Sequence, residues 1–168
     1  MPVDALCRLA RLSSMPKKWW VLATVACGTF MATLDSSIVN IALPTLTKAL
    51  HTDLRSVKWV IVIYLLTITC TLLPFGRVSD LYGRKPVFKY GFLVFTLGSL
   101  FCGLSQSLTT LIFSRILQGL GASMLMSNGP AIITSAFELR GRGKALGILS
   151  MVVSAGLVSG PSFGGFLI

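Results

Sequence analysis

Long uncharged stretches separated by short clusters of charge dominate the chain. Apolar residues run from Trp19 to Leu46, Val57 to Phe75, Val87 to Leu104, Leu108 to Phe137 and Ala145 to Ile168. Each run approaches or exceeds the ~20 helical residues, at ~1.5 Å rise each, that cross a hydrocarbon core ~30 Å thick. A closed β-barrel would show weaker alternating runs of ~10 residues, and the chain does not alternate in that way. In lipid each backbone N–H and C=O must find its partner within the protein, which leaves helices. The pattern predicts an all-α membrane protein: a polar tail over residues 1–18, then a transmembrane bundle of five helices over residues 19–168.

Composition agrees with that picture and removes the soluble alternatives. Hydrophobic residues make up 54% of the chain and charged residues 12%, with a mean hydropathy of +0.81. A water-soluble domain of this make-up would be coated in apolar surface. A net charge of +10 would ordinarily raise nucleic acid as a partner, but the positive charges sort by loop. Eleven of the fifteen (Arg8, Arg11, Lys17, Lys18, Arg77, Arg84, Lys85, Lys89, Arg140, Arg142 and Lys144) fall on one side of the membrane, against Lys48, Arg55 and Lys58 on the other. This positive-inside bias predicts a cytoplasmic N-terminus and accounts for the charge without nucleic acid. Trp19 and Trp20, beside Lys17 and Lys18, read as an interfacial anchor. A secretory signal is excluded, because the run that follows exceeds the ~7–15 residues of a signal core and carries Asp35.

Cys7, Cys27, Cys70 and Cys102 lack paired spacing and read as small apolar fillers, and His51 reads as a solvated loop residue. No metal or cofactor is implied, and no nucleophile–base pair that would suggest an enzyme stands on any span.

Two lone charges of opposite sign carry the candidate chemistry. Asp35 is the only charge between Lys18 and Lys48, and Arg115 the only one between Lys89 and Glu138. A charge near the bilayer centre costs ~2.5–3.5 kcal/mol on insertion scales, so such a residue is a functional-site candidate by default. Helix rise places Asp35 ~24 Å from the inner face and Arg115 ~10 Å in from the outer face of a ~30 Å core, which are similar depths. Thr24, Gly28, Ala32, Val39 and Ala42 share the Asp35 stripe, and Gly119, Ser123 and Ser127 share the Arg115 ridge, with Gln118 and Ala122 flanking it. Both faces are predicted to look inward. Such a pair either holds two helices together or exchanges a proton. Desolvation favours the neutral carboxyl, a nearby guanidinium favours the ionised one, and the sequence leaves the balance open.

Three further segments add spacing to these charges. The stretch Gly76-Arg77-Val78-Ser79-Asp80-Leu81-Tyr82-Gly83-Arg84-Lys85 reads as a glycine-bracketed turn between two helices, with Asp80 able to cap a helix or pair with Arg84. On the fourth span stands Arg115-Ile116-Leu117-Gln118-Gly119-Leu120-Gly121-Ala122. On the fifth, Gly156, Gly160 and Gly164 lie four apart on one ridge that permits close helix contact, next to Pro161 and Gly165. Pro161 removes a backbone donor and leaves a carbonyl behind it to be satisfied by a neighbour or water.

In this order and spacing the segments resemble signature motifs of the major facilitator superfamily. The run from Leu34 to Pro44 is similar to the first-span motif of its fourteen-span drug:proton antiporter branch, the EmrB/QacA type. The resemblance covers Thr29 to Gly165. It implies that the five helices form most of the N-terminal six-helix bundle of a major facilitator fold. It further implies a multi-pass inner-membrane exporter that exchanges protons for amphipathic, often cationic small molecules, with an accessory periplasmic protein among its partners. By position, Asp35 would be the proton or cation site and Arg115 the partner that tunes it. Asp80 and Arg84, with Gly76, Gly83 and Lys85, would form a cytoplasmic latch. Gln118, Gly119 and Gly121 would complete the fourth-span motif. Gly160 and Pro161 would form a bend that limits leakage. The chain is expected to be a truncated portion of a longer protein, since alternating access needs two bodies. The competing expectation is a small non-transporting membrane scaffold or assembly subunit.

Overall fold

The computed structural model describes residues 17–50 and 52–167. Expectations for residues 1–16, for His51 and for the surroundings of Gly165 lie outside what is described. Among the described residues the architecture is all-α, with five helices long and apolar enough to cross a membrane: α1 (Lys17–Ala49), α2 (Leu54–Tyr82), α3 (Arg84–Gly103), α4 (Leu108–Ala136) and α5 (Leu139–Leu167). Several helices outrun the apolar stretches that announce them, because hydropathy marks the lipid-embedded part and the backbone ladder continues into charged flanks.

Local chemistry fixes the helix ends. Ser107 and Thr110 form a reciprocal capping box at the start of α4, each backbone N–H donating to the other's hydroxyl at 3.3 Å. Arg142 Nε donates to Phe137 O at 3.1 Å where α4 hands over to α5. Trp19 packs edge-on against Phe137, with ring centroids 5.7 Å apart, and ties the start of α1 to the same junction.

The turn expected over Gly76 to Lys85 is corrected by the structure. Helix α2 runs unbroken through Gly76 to Tyr82, and Gly83 alone makes the connection, with φ +96°. A single helical glycine costs only ~1 kcal/mol relative to alanine and does not break a helix packed on its neighbours. Ser79 also binds back to Gly76 O at 2.6 Å. Positive φ is the conformation that a side chain opposes, so glycine is required at position 83 and not at 76.

Helix α4 is the hub, lying against α1, α2 and α3, whereas α5 packs along α1 and hardly touches α4. Small residues set these distances. A Cβ on Gly98 of α3 would sit 2.6 Å from Gln118 Cα, and one on Gly91 would sit 2.8 Å from Met124 Cβ. The main core lies between these helices, around Val25, Ala32, Tyr64, Phe95, Ala122, Leu125 and Ile133. A second cluster of Val39, Val57, Val60 and Leu111 closes the end that carries Ser107. Large apolar side chains such as Leu65, Leu73, Leu93 and Phe113 point outward, as expected where the solvent is lipid.

Candidate functional site

Four helices bring the site together. Asp35 projects from α1 and Arg115 from the α4 face that lies towards it, and Arg115 Nη1 approaches Asp35 Oδ2 to 2.6 Å. The Arg115 side chain is 8% exposed and that of Asp35 23%, so the cation is enclosed while the carboxylate is partly exposed. One helical turn on, Gln118 accepts from Arg115 Nη1 at 2.9 Å and donates to Asp35 Oδ1 at 3.1 Å. The same amide donates to Ser99 Oγ of α3 at 2.8 Å, and the Cys102 thiol approaches its oxygen at 3.7 Å. From α2, the Tyr64 ring lies 5.7 Å under the guanidinium, and its hydroxyl donates to Ala32 O at 3.3 Å. Arg115 Nε is buried without a partner. Two lone charges thus become an ion pair braced by polar groups from every helix that α4 touches. That arrangement can hold a carboxylate, and can release it if the carboxylate is protonated.

Gly28, Ala32, Gly119 and Ser123 of the stripes beside the pair face inward through helix contact, whereas Thr24 is exposed and its hydroxyl binds back to Trp20 O. Gly28 lies against Phe88 and Phe92 of α3, Ala32 lies beneath Tyr64, and Gly119 lies against Thr67 of α2. Ser123 accepts from Thr71 Oγ1 at 2.8 Å.

The glycine ridge of α5 seats on α1. Gly156 faces Thr33, Gly160 faces Ser37 and Gly164 faces Ile41, three contacts in step at four-residue spacing. Pro161 cannot donate to Leu157 O, four residues back, and Ser37 Oγ supplies that carbonyl with a hydrogen bond of 2.7 Å. The segments containing Asp35 and Pro161 are therefore joined directly.

At the other end of the bundle Asp80 and Arg84 pair at 3.3 Å, both exposed, and Arg84 Nη1 donates to Ala131 O of α4 at 3.2 Å. Gly76 faces open space and Lys85 is exposed. Among the described residues, no hydrogen bond or ion pair connects this cluster to the Asp35–Arg115 pair.

Sequence reasoning missed Tyr64, Ser99 and Ser37 as site residues and misjudged the cysteines. Cys27 and Cys70 are exposed and fill no core, while Cys102 contacts the polar network. Ser99 and Cys102 share a face of α3 at i, i+3, a signal that gains meaning only once the partner helix is known. Among the described residues, no group of three or more His, Cys, Asp or Glu side chains could hold a metal.

The family model described as Major Facilitator Superfamily matches residues 25–168. The riboflavin transporter RibZ of Clostridioides difficile (strain 630) is 44% identical over 92% of the chain and 34% of its own length. The puromycin resistance protein pur8 of Streptomyces alboniger is 38% identical over 90% of the chain and 30% of its own length. Among solved structures, an inward-facing, unoccupied bacterial homologue of the human lysosomal transporter Spinster superposes with a TM-score of 0.81 at 22% identity, covering 92% of this chain and 32% of that one. The chain spans about a third of the length of the curated relatives it matches.

Proposed function

The chain belongs to the major facilitator superfamily, and on that premise we propose that the whole protein is a proton-coupled antiporter of amphipathic or cationic small molecules. It works by alternating access, and the chain forms most of its N-terminal six-helix bundle. The observation that carries this reading is the 2.6 Å contact between the enclosed Arg115 and the partly exposed Asp35. A carboxylate in that position takes a proton from water, loses its attraction to the guanidinium, and frees α1 from α4. A cationic substrate that reaches the same carboxylate competes for it. The resistance proteins among the relatives favour export, and the Leu34–Pro44 segment favours the fourteen-span drug:proton branch.

Asp80 and Arg84 act in this reading as a cytoplasmic latch, and Gly160 with Pro161 as the bend that limits leakage. The distribution of basic residues favours an inner-membrane protein with a cytoplasmic N-terminus. An accessory periplasmic partner completes the proposal.

A second reading rests on the 44% identity to a riboflavin transporter: a neutral, flat heteroaromatic substrate in place of cationic ones. Everted vesicles containing the full-length protein distinguish the two when offered ethidium or riboflavin, with and without a proton gradient. Gradient-driven ethidium accumulation that is lost in Asp35→Asn, with the variant still in the membrane, is the expected result. Unimpaired accumulation by Asp35→Asn would reject the assigned role, and riboflavin movement alone would favour the second reading.

A further inference from the structure

Gln118 is fully buried, and its side chain has no hydrogen-bonding capacity left. A primary amide offers two donors and two acceptor positions. The donors go to Asp35 Oδ1 at 3.1 Å and Ser99 Oγ at 2.8 Å, and the oxygen receives Arg115 Nη1 at 2.9 Å and the Cys102 thiol at 3.7 Å. Arg115 dictates the orientation. A guanidinium has no acceptor, so the amide oxygen must face it and the amide nitrogen must face the carboxylate. Asp35 consequently meets an N–H at each oxygen, from Arg115 at Oδ2 and from Gln118 at Oδ1.

This frame favours one protonation state. A carboxylate only accepts, whereas a carboxylic acid carries an O–H that needs an acceptor. Along both contacted directions that O–H would meet an N–H. Turning the amide over to offer its oxygen would set its nitrogen against the guanidinium. Building on the proton-exchange reading above, we infer that Gln118 is a positioning residue that favours the ionised Asp35 while α1 and α4 are in contact, with Ser99 and Cys102 of α3 holding its amide in register. A proton delivered by water to the exposed side of Asp35 converts the carboxylate to the acid, removes the charge attraction to Arg115 and weakens both N–H contacts, so binding the proton favours opening the contact. The titratable and charged groups facing Asp35 are Arg115 from α4, Tyr64 from α2 and Cys102 from α3. Helix α5 carries no charged residue beyond Lys144.

The test is the pH dependence of ethidium binding to the purified full-length protein, followed by ethidium fluorescence. In the parent, affinity rises with pH through a midpoint as the carboxyl ionises. Gln118→Met keeps the bulk and removes the donor to the ionised form, so the midpoint moves up by about one pH unit, a tenfold tighter hold on the proton. Ser99→Ala loosens the amide and moves it in the same direction by less. A purely structural role lowers affinity equally at every pH and leaves the midpoint fixed, and that outcome in Gln118→Met overturns the inference. Should Gln118→Met fail to fold, an unmoved midpoint in Ser99→Ala overturns it instead. Asp35→Asn separates the two levels. If that variant keeps the parental pH dependence, the proton-exchange reading falls. If it loses it while Gln118→Met stays unshifted, only the role of Gln118 falls.

Discussion

Replacing Ser37 by Ala removes the hydroxyl that donates to Leu157 O at 2.7 Å, and the backbone of α5 has no substitute to offer. The residue four positions ahead of Leu157 is Pro161, which lacks an N–H, so the carbonyl loses its partner in a part-buried seam between two helices. Interhelical hydrogen bonds in membranes average ~0.6 kcal/mol and reach ~1.7. An orphaned buried acceptor adds a desolvation penalty of ~1–3 kcal/mol, so Ser37→Ala is expected to cost about 1–2 kcal/mol. The proline supplies the control. Pro161→Ala returns an N–H to position 161, and in that background Ser37→Ala should cost less than about 0.5 kcal/mol. The coupling in a double-mutant cycle is therefore about 1 kcal/mol, well above the ~0.3–0.5 kcal/mol scatter of independent sites. Reversible unfolding of the full-length protein in mixed dodecyl maltoside and SDS micelles measures it. Equal costs of Ser37→Ala in the two backgrounds would refute the reasoning, because the serine would then be serving something other than the proline's carbonyl.

Arg115→Lys replaces a fork that reaches both Asp35 and Gln118 with a point charge, so gradient-driven ethidium transport should fall about tenfold, the equivalent of one charge-assisted hydrogen bond; wild-type rates would deny the geometric role. Gly98→Ala would place a methyl 2.6 Å from the Gln118 backbone, which cannot yield as a side chain can. Overpacking of this kind costs ~1–3 kcal/mol and should show as a lower melting temperature. Asp80→Asn breaks an exposed pair worth less than about 1 kcal/mol, so transport should fall while the melting temperature holds. A melting temperature that fell with transport would assign the pair to stability.

The charged half of the site could be read from the chain because charge is so costly in lipid. Two isolated ionisable residues at similar depths had few partners but each other, and depth follows from helix rise alone. The uncharged half was hidden for the converse reason. Serine or threonine recurs on every span, and their hydroxyls mostly bind back to their own helix, as Thr29 and Thr33 do. Nothing in the spacing of Ser99 or Tyr64 says which of them crosses to another helix. Gln118 was visible as a flank of the Arg115 ridge and as part of the fourth-span motif, but not as the amide that joins both charges. The orphaned carbonyl behind Pro161 was foreseeable from proline chemistry, but its donor depended on the register of α1 against α5. The break expected at Gly76 failed because backbone freedom permits a turn without requiring one, and packing on α4 kept α2 helical.

Helix α5 leans on α1 along its length and barely meets α4, so within this part of the bundle its mechanical allegiance is to the helix that carries the acid. On the proposed release of α1, a tilt that begins at Asp35 would pass two residues later, at Ser37, to the stretch of α5 that carries Gly160 and Pro161. If α1 moves as proposed, α5 would be the helix most bound to follow it.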